Sequence, residues 1–89
     1  MNLNTSWELK VRDKVFKTLS KFPKQERTHL VEVIEALPID PYIGDIEKMQ
    51  GEENTWRRRV GAYRIFYEIR MAEKVIYVYG IERKTSKTY

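Results

Sequence analysis

The sequence predicts an α+β domain: an N-terminal strand, a two-helix hairpin, then an antiparallel β-meander, with the helices packed on one sheet face. Three observations predict it. Apolar residues recur at helical spacing in two consecutive segments, Val15, Phe16, Leu19 and Phe22, then Leu30, Val33, Ile34 and Leu37. Strand-type alternation follows from Trp56 to Gly80. Proline stands at both helix boundaries, as Pro23 and Pro38.

In chain order, Trp7, Leu9 and Val11 alternate with polar residues and read as a first strand. Asp13 suits an early helical position. Pro23 closes the first helix and fits the start of the second, and Pro38 stops that one. The two make an αα-hairpin with its apolar faces toward the sheet. Residues 38 to 45 form an irregular connection, and Ile46 to Met49 read as a short strand. Three strands follow, about Trp56 to Val60, Tyr63 to Arg70 and Lys74 to Gly80. Gly61-Ala62 turns the first hairpin, and Met71-Ala72-Glu73 the second. The tyrosines at 67, 77 and 79 continue strand alternation and are expected in the core.

The 89 residues suit one domain spanning 1–89. The absence of cysteine excludes disulfides and thiolate metal sites, and the lone His29 excludes a multi-histidine cluster, so no metal and no cofactor is expected. No apolar run reaches the roughly 18 residues that span a bilayer, and the N-terminus is too polar for a signal peptide. A cytoplasmic protein without a membrane partner is the expectation. Charge is unevenly placed. Residues 56 to 89 carry nine Lys or Arg against three acids, whereas residues 1 to 55 carry eight against ten. That asymmetry points to an anionic partner for the C-terminal half, although charge alone weighs a nucleic acid and a merely soluble basic face evenly.

Strand phase sorts the basic residues. Trp56 and Val60 share the apolar phase, with Arg57 and Arg59 opposite. Tyr63, Ile65, Tyr67 and Ile69 share one phase of the next strand, and Arg64, Phe66 and Glu68 the other. Arg57, Arg59 and Arg64 are therefore expected on one open face with Phe66 beside them. Arg83 is expected next to them as the chain leaves the adjacent strand, followed by Lys84 and Lys87. Arg58 falls in the apolar phase, so it must snorkel past an edge or meet a partner element. His29 reads as a surface residue.

These residues resemble a known family. Lys48-Met49-Gln50-Gly51, the run from Trp56 to Tyr67, Ile76-Tyr77-Val78, and Arg83 with Tyr89 six positions later are similar to a RelE-type toxin of the RelE/ParE toxin–antitoxin superfamily. The order of elements fits from residue 7 to 89. The resemblance implies a ribosome-dependent endoribonuclease that cleaves mRNA in the ribosomal A site. It implies catalytic roles for Arg57, Arg59, Arg64, Arg83 and Tyr89, with Phe66, Lys84 and Lys87 adding to RNA binding. Its partners would be a cognate antitoxin, the ribosome and mRNA, and DNA only indirectly through the antitoxin.

The chemistry needs no histidine. An RNA 2′-hydroxyl attacks the adjacent phosphorus, and fixed guanidinium groups stabilise the charge that grows on the phosphoryl oxygens. Arginine stays protonated, so the base would be Tyr89 if nearby cations lower its pKa. Tyr89 could instead stack on a nucleobase. Two other readings share the scaffold. One is a ParE-like inhibitor of DNA gyrase. The other is a catalytically weakened toxin fold that only binds its antitoxin.

Overall fold

The computed structural model describes residues 7–84. The elements are β1 (Glu8–Val11), α1 (Asp13–Leu19), α2 (Lys24–Ala36), β2 (Ile46–Lys48), β3 (Thr55–Val60), β4 (Tyr63–Arg70) and β5 (Val75–Arg83). They make one five-stranded sheet in the order β1-β5-β4-β3-β2. The β2–β3, β3–β4 and β4–β5 pairings are antiparallel, and β1 joins β5 in parallel. The expected α+β architecture is present. The parallel β1–β5 pairing is long-range, since α1, α2 and strands β2 to β4 all lie between the two in the chain.

Helix α2 buries Leu30, Val33 and Ile34, with Leu37 as its C-cap, and α1 buries Val15 and Leu19. These side chains form one core with Tyr63, Ile65, Tyr67 and Ile69 of β4 and Ile76, Val78 and Ile81 of β5. Alternation in β4 thus holds as read, with the odd positions buried under the helices and the even ones, half-buried up to Glu68 and exposed at Arg70, on the other face. Phe16 departs from the expected stripe and is exposed, because α1 has only seven residues and Val15 and Leu19 already fill its inner face.

The β3–β4 turn leaves Gly61 at φ +60 between paired Val60 and Tyr63, as the first central position of a type II′ turn requires. In the β4–β5 pairing the register shifts between Phe66 and Tyr67. Phe66 lies opposite Gly80 and Tyr67 opposite Val78, so Tyr79 is an extra residue. The expectation that Tyr77 and Tyr79 lie in the core fails, because the inward phase of β5 falls on Ile76 and Val78. Tyr77, opposite Glu68, and Tyr79 alternate with these two and so stand on the open face. Both are half-buried surface rings rather than core. Beyond the bulge the inward phase passes to Ile81 and Arg83. The strand also continues to Arg83 instead of ending near Gly80.

Residues 38–45 cover the part of the sheet that the helices leave free. The buried Tyr67 hydroxyl donates to the Pro41 carbonyl at 2.5 Å, and Tyr42 packs edge-on against Trp56 with ring centroids 5.8 Å apart. Arg58 lies beneath this cover. A Cβ on Gly44 would come within 2.7 Å of the Arg58 guanidinium carbon, and Gly44 sits at φ +94, so glycine suits the position twice over. Arg58 is therefore half-buried under the connection, not an exposed contact for a partner. Its Nε is buried without a hydrogen-bond partner among the described residues.

Candidate functional site: an arginine-lined open face

Antiparallel pairing places Arg57 opposite Phe66 and Arg59 opposite Arg64. Directly opposed residues share a face, so Arg57, Arg59, Arg64 and Phe66 converge on the side away from the helices. The three arginines line one small cavity of about 90 Å³. Its remaining walls are acidic. Strand β2 sets Glu47 opposite Arg57, whose guanidinium donates to the Glu47 carboxylate. Arg59 Nε donates to Asp45 Oδ2 at 3.0 Å, and the Arg59 backbone N–H donates to the Asp45 carbonyl at 2.9 Å. Arg64 makes no ion pair among the described residues, and its opposite number in β5 is Glu82.

This face is less cationic than the strand sequences imply. Glu47 and Asp45 meet two of the arginines, and Arg70 Nε is held by Glu68 at 2.9 Å. Asp45 and Glu47 escaped notice because β2 has only three residues and the register that docks it on β3 is not readable locally. The pairs are open to water, with Arg59 and Asp45 56% and 63% exposed. Exposed pairs of this kind contribute less than about 1 kcal/mol each, so a phosphate can take the place of the carboxylates.

Beside the arginines runs an aromatic strip, of which sequence reading expected Phe66 here but assigned Tyr77 and Tyr79 to the core. Phe66 and Tyr79 have ring centroids 6.2 Å apart, Tyr79 and Tyr77 are 6.4 Å apart, and the Arg70 guanidinium lies 4.7 Å from the Tyr77 centroid. Burial, with Glu52 and Glu68 nearby, raises the Tyr79 pKa and keeps its hydroxyl protonated.

Arg83 is not brought to this face. It lies opposite Tyr63, and its guanidinium sits 5.9 Å from the centroid of the Tyr63 ring on the helix-bearing side. There it lines a larger cavity of about 480 Å³ with Glu26, His29 and Tyr63. The Tyr63 hydroxyl donates to Glu26, and that bond, aided by burial, raises the Tyr63 pKa although Arg83 pulls the other way. His29 is exposed, as read, 4.0 Å from the Glu32 carboxylate. The expectation of four arginines on one outward face thus reduces to three, because the Tyr79 bulge reverses the phase of Arg83. Lys84 is exposed after β5, with its N–H donating to the Ala62 carbonyl at 2.6 Å. Lys87 and Tyr89 lie outside the described residues. Among the described residues no helix is long and apolar enough to cross a membrane.

Known proteins share this fold. The crystal structure of an archaeal RelE–RelB complex from Pyrococcus horikoshii contains a chain that superposes with a TM-score of 0.79 at 24% identity, covering 92% of this chain and 99% of that one. The isolated Escherichia coli RelE toxin superposes with a TM-score of 0.77 at 17% identity, covering 92% of this chain and 88% of that one. In sequence, a Methanocaldococcus jannaschii protein named "Putative toxin RelE1" is 26% identical over 81 residues, covering 88% of this chain and 90% of that protein. Residues 9–86 match the family described as ParE toxin of type II toxin–antitoxin system. The chain belongs to that family and is a type II toxin of the RelE/ParE superfamily.

Proposed function

We propose that this toxin arrests translation in the cytoplasm by cleaving mRNA in the ribosomal A site, holding the scissile phosphodiester on Arg57, Arg59 and Arg64. The observation that carries this reading is the convergence of those three side chains on one cavity of the open face. The RNA 2′-hydroxyl attacks phosphorus, the 5′-oxygen of the next nucleotide leaves, and a cyclic phosphate remains. Guanidinium groups held by the sheet stabilise the charge that builds on the equatorial oxygens, a contribution of about 3 kcal/mol for one well-placed donor. The ribosome supplies the in-line geometry, which is worth several kcal/mol more. Tyr89 is the proposed base. A cognate antitoxin is the proposed partner, because relatives of this fold are found in RelE–RelB complexes.

Toe-print mapping during in vitro translation tests the reading. New 3′ ends within A-site codons are expected with the wild-type chain and not with Arg64→Ala. An unchanged mRNA pattern at high protein concentration rejects it.

Two geometric facts favour a second reading, a ParE-like gyrase inhibitor. Glu82 rather than a cation stands opposite Arg64, and Arg83 is on the other face. Loss of supercoiling by purified gyrase, with mRNA left intact, would select it.

A further inference from the structure

We propose that the groove where β5 runs past the end of β1 is a nucleobase subsite, in which a base of single-stranded RNA stacks on Phe66 and Tyr79 while its phosphate meets Arg12 and Lys14. The proposal deepens the RNA-cleaving reading, since it extends the same strand of RNA away from the arginine cavity.

The groove exists because β1 is short. The β1–β5 register ends at Val11 opposite Val78, and the Arg12 N–H donates to the Val78 carbonyl at 3.0 Å. From Tyr79 onward no described strand pairs with β5 on that side. The chain turns there into α1, and a cavity of about 270 Å³ opens between α1 and the sheet edge. Its lining divides by chemistry. Phe66 and Tyr79 give π-faces that are half-buried and tilted by only 32° to each other. Gly80 lies opposite Phe66 and carries no side chain over the ring. Arg12 and Lys14 stand exposed on one rim, and neither makes an ion pair among the described residues. Glu82 stands among the lining residues, where its charge turns phosphate away from the floor and toward the two cations.

Continuity with the arginine cavity selects RNA as the occupant. Phe66 is the direct cross-strand neighbour of Arg57, so a strand held at Arg57 and Arg64 passes over Phe66 next. Rings with cations at either end are the usual platform for single-stranded nucleic acid, where stacking contributes about 1–3 kcal/mol per base. Neither Tyr79 nor Arg12 follows from the arginine motif. The bulge and the shortness of β1 bring them together.

The test compares a hexanucleotide RNA with the same chain made abasic at one central position, titrated against the whole protein and followed by the ring NMR signals. Wild type should bind the intact chain about tenfold more tightly than the abasic one, with shifts at Phe66 and Tyr79. Tyr79→Phe should keep that ratio and Tyr79→Leu should bring it close to one. Gly80→Ala adds a methyl only 3.5 Å from the Phe66 ring, an ordinary contact that the fold tolerates, and should also shrink the ratio.

Equal affinity for the two chains in wild type, with both weakened by Arg64→Ala, overturns the subsite and leaves the arginine reading in place. A ratio that survives while Arg64→Ala changes nothing upholds the subsite and rejects the arginine reading. No binding of either chain overturns both. Ring shifts produced by an acidic, apolar peptide and not by RNA overturn the proposal and give the groove to a protein segment.

Discussion

Arg57, Arg59 and Arg64 stand on the open face of the sheet, whereas Arg58 and Arg83, from the same few strands, lie on the helix-bearing side. The outward three meet water and exchangeable carboxylates. Of the other two, Arg58 is half-buried under Gly44, and Arg83, though exposed, sits over the Tyr63 ring at the mouth of a cavity on the helix side. One residue of phase separates the two fates. In β3 that phase is set by plain alternation, and in β5 by a bulge. Proximity in sequence therefore says little about which guanidinium groups can act together on one phosphate.

The largest effect expected from this contrast is on mRNA cleavage. Arg64→Ala should lower the single-turnover rate on programmed ribosomes by about 10²- to 10³-fold, the loss typical of a donor aimed at developing charge. Arg83→Ala should lower it by less than about tenfold, because its side chain is directed to the helix side. Both variants should unfold near the wild-type urea midpoint. Equal losses for the two would mean that Arg83 reaches the open face when RNA is bound, and the division drawn here would fail.

Much of this was legible in the sequence, and the omissions share a cause. Helical spacing placed Leu30, Val33, Ile34 and Leu37 correctly, and alternation placed the whole of β4. Those signals are local, carried by residues a few positions apart. Asp45 and Glu47 reach the arginines only through the pairing of β2 with β3, fourteen and ten residues on in the chain. The Tyr79 bulge is a property of two strands and has no signature in one. Alternation puts Arg58 in the apolar phase, but what covers it, the connection from 38 to 45, lies too far along the chain to be read locally. The candidate site was thus readable as a set of cations but not as a balanced, partly neutralised surface.

The inward set carries a stability prediction. Gly44→Ala should cost about 2 kcal/mol, from a strained positive φ and a Cβ 2.7 Å from the Arg58 guanidinium. Gly61→Ala is the matched control, since it has φ +60 and nothing within 4 Å of an added Cβ. It should cost only about 1 kcal/mol. Adding Arg58→Ala to Gly44→Ala should return the difference, read as coupling in a double-mutant cycle from urea unfolding. Additive costs would show that the connection does not rest on Arg58.

Tyr67, beside Arg58, gives a smaller effect with a pH signature. Burial pushes its pKa up to about 12, so the folded state holds the phenolic proton more tightly than the unfolded chain does at its ordinary value of 10.0. Its contribution to stability is complete below pH 10 and is lost as pH rises through about 12. Tyr67→Phe should cost about 1 kcal/mol at pH 8 through the lost bond to Pro41. It should also flatten the decline of the urea midpoint between pH 10 and 12. A decline as steep as in wild type would place the titrating group elsewhere.

The smallest effect bears most directly on why the open face carries acids at all. Asp45→Asn with Glu47→Gln removes the partners of Arg59 and Arg57 without changing side-chain size. Because the pairs are exposed, each is worth less than about 1 kcal/mol, and the urea midpoint should scarcely move. Affinity for single-stranded RNA should nonetheless rise by up to about tenfold at low salt. Its dependence on salt should steepen by about 1.4 in log–log slope, as two more phosphates are neutralised. That outcome would identify the carboxylates as a brake on indiscriminate binding: they hold the guanidinium groups in place, yet yield to a phosphodiester that another body has already positioned. An unchanged slope would mean that Arg57 and Arg59 meet no phosphate even when released. Arg64 alone would then remain of the open set, and the contrast between the two groups of arginines would rest on geometry without chemistry.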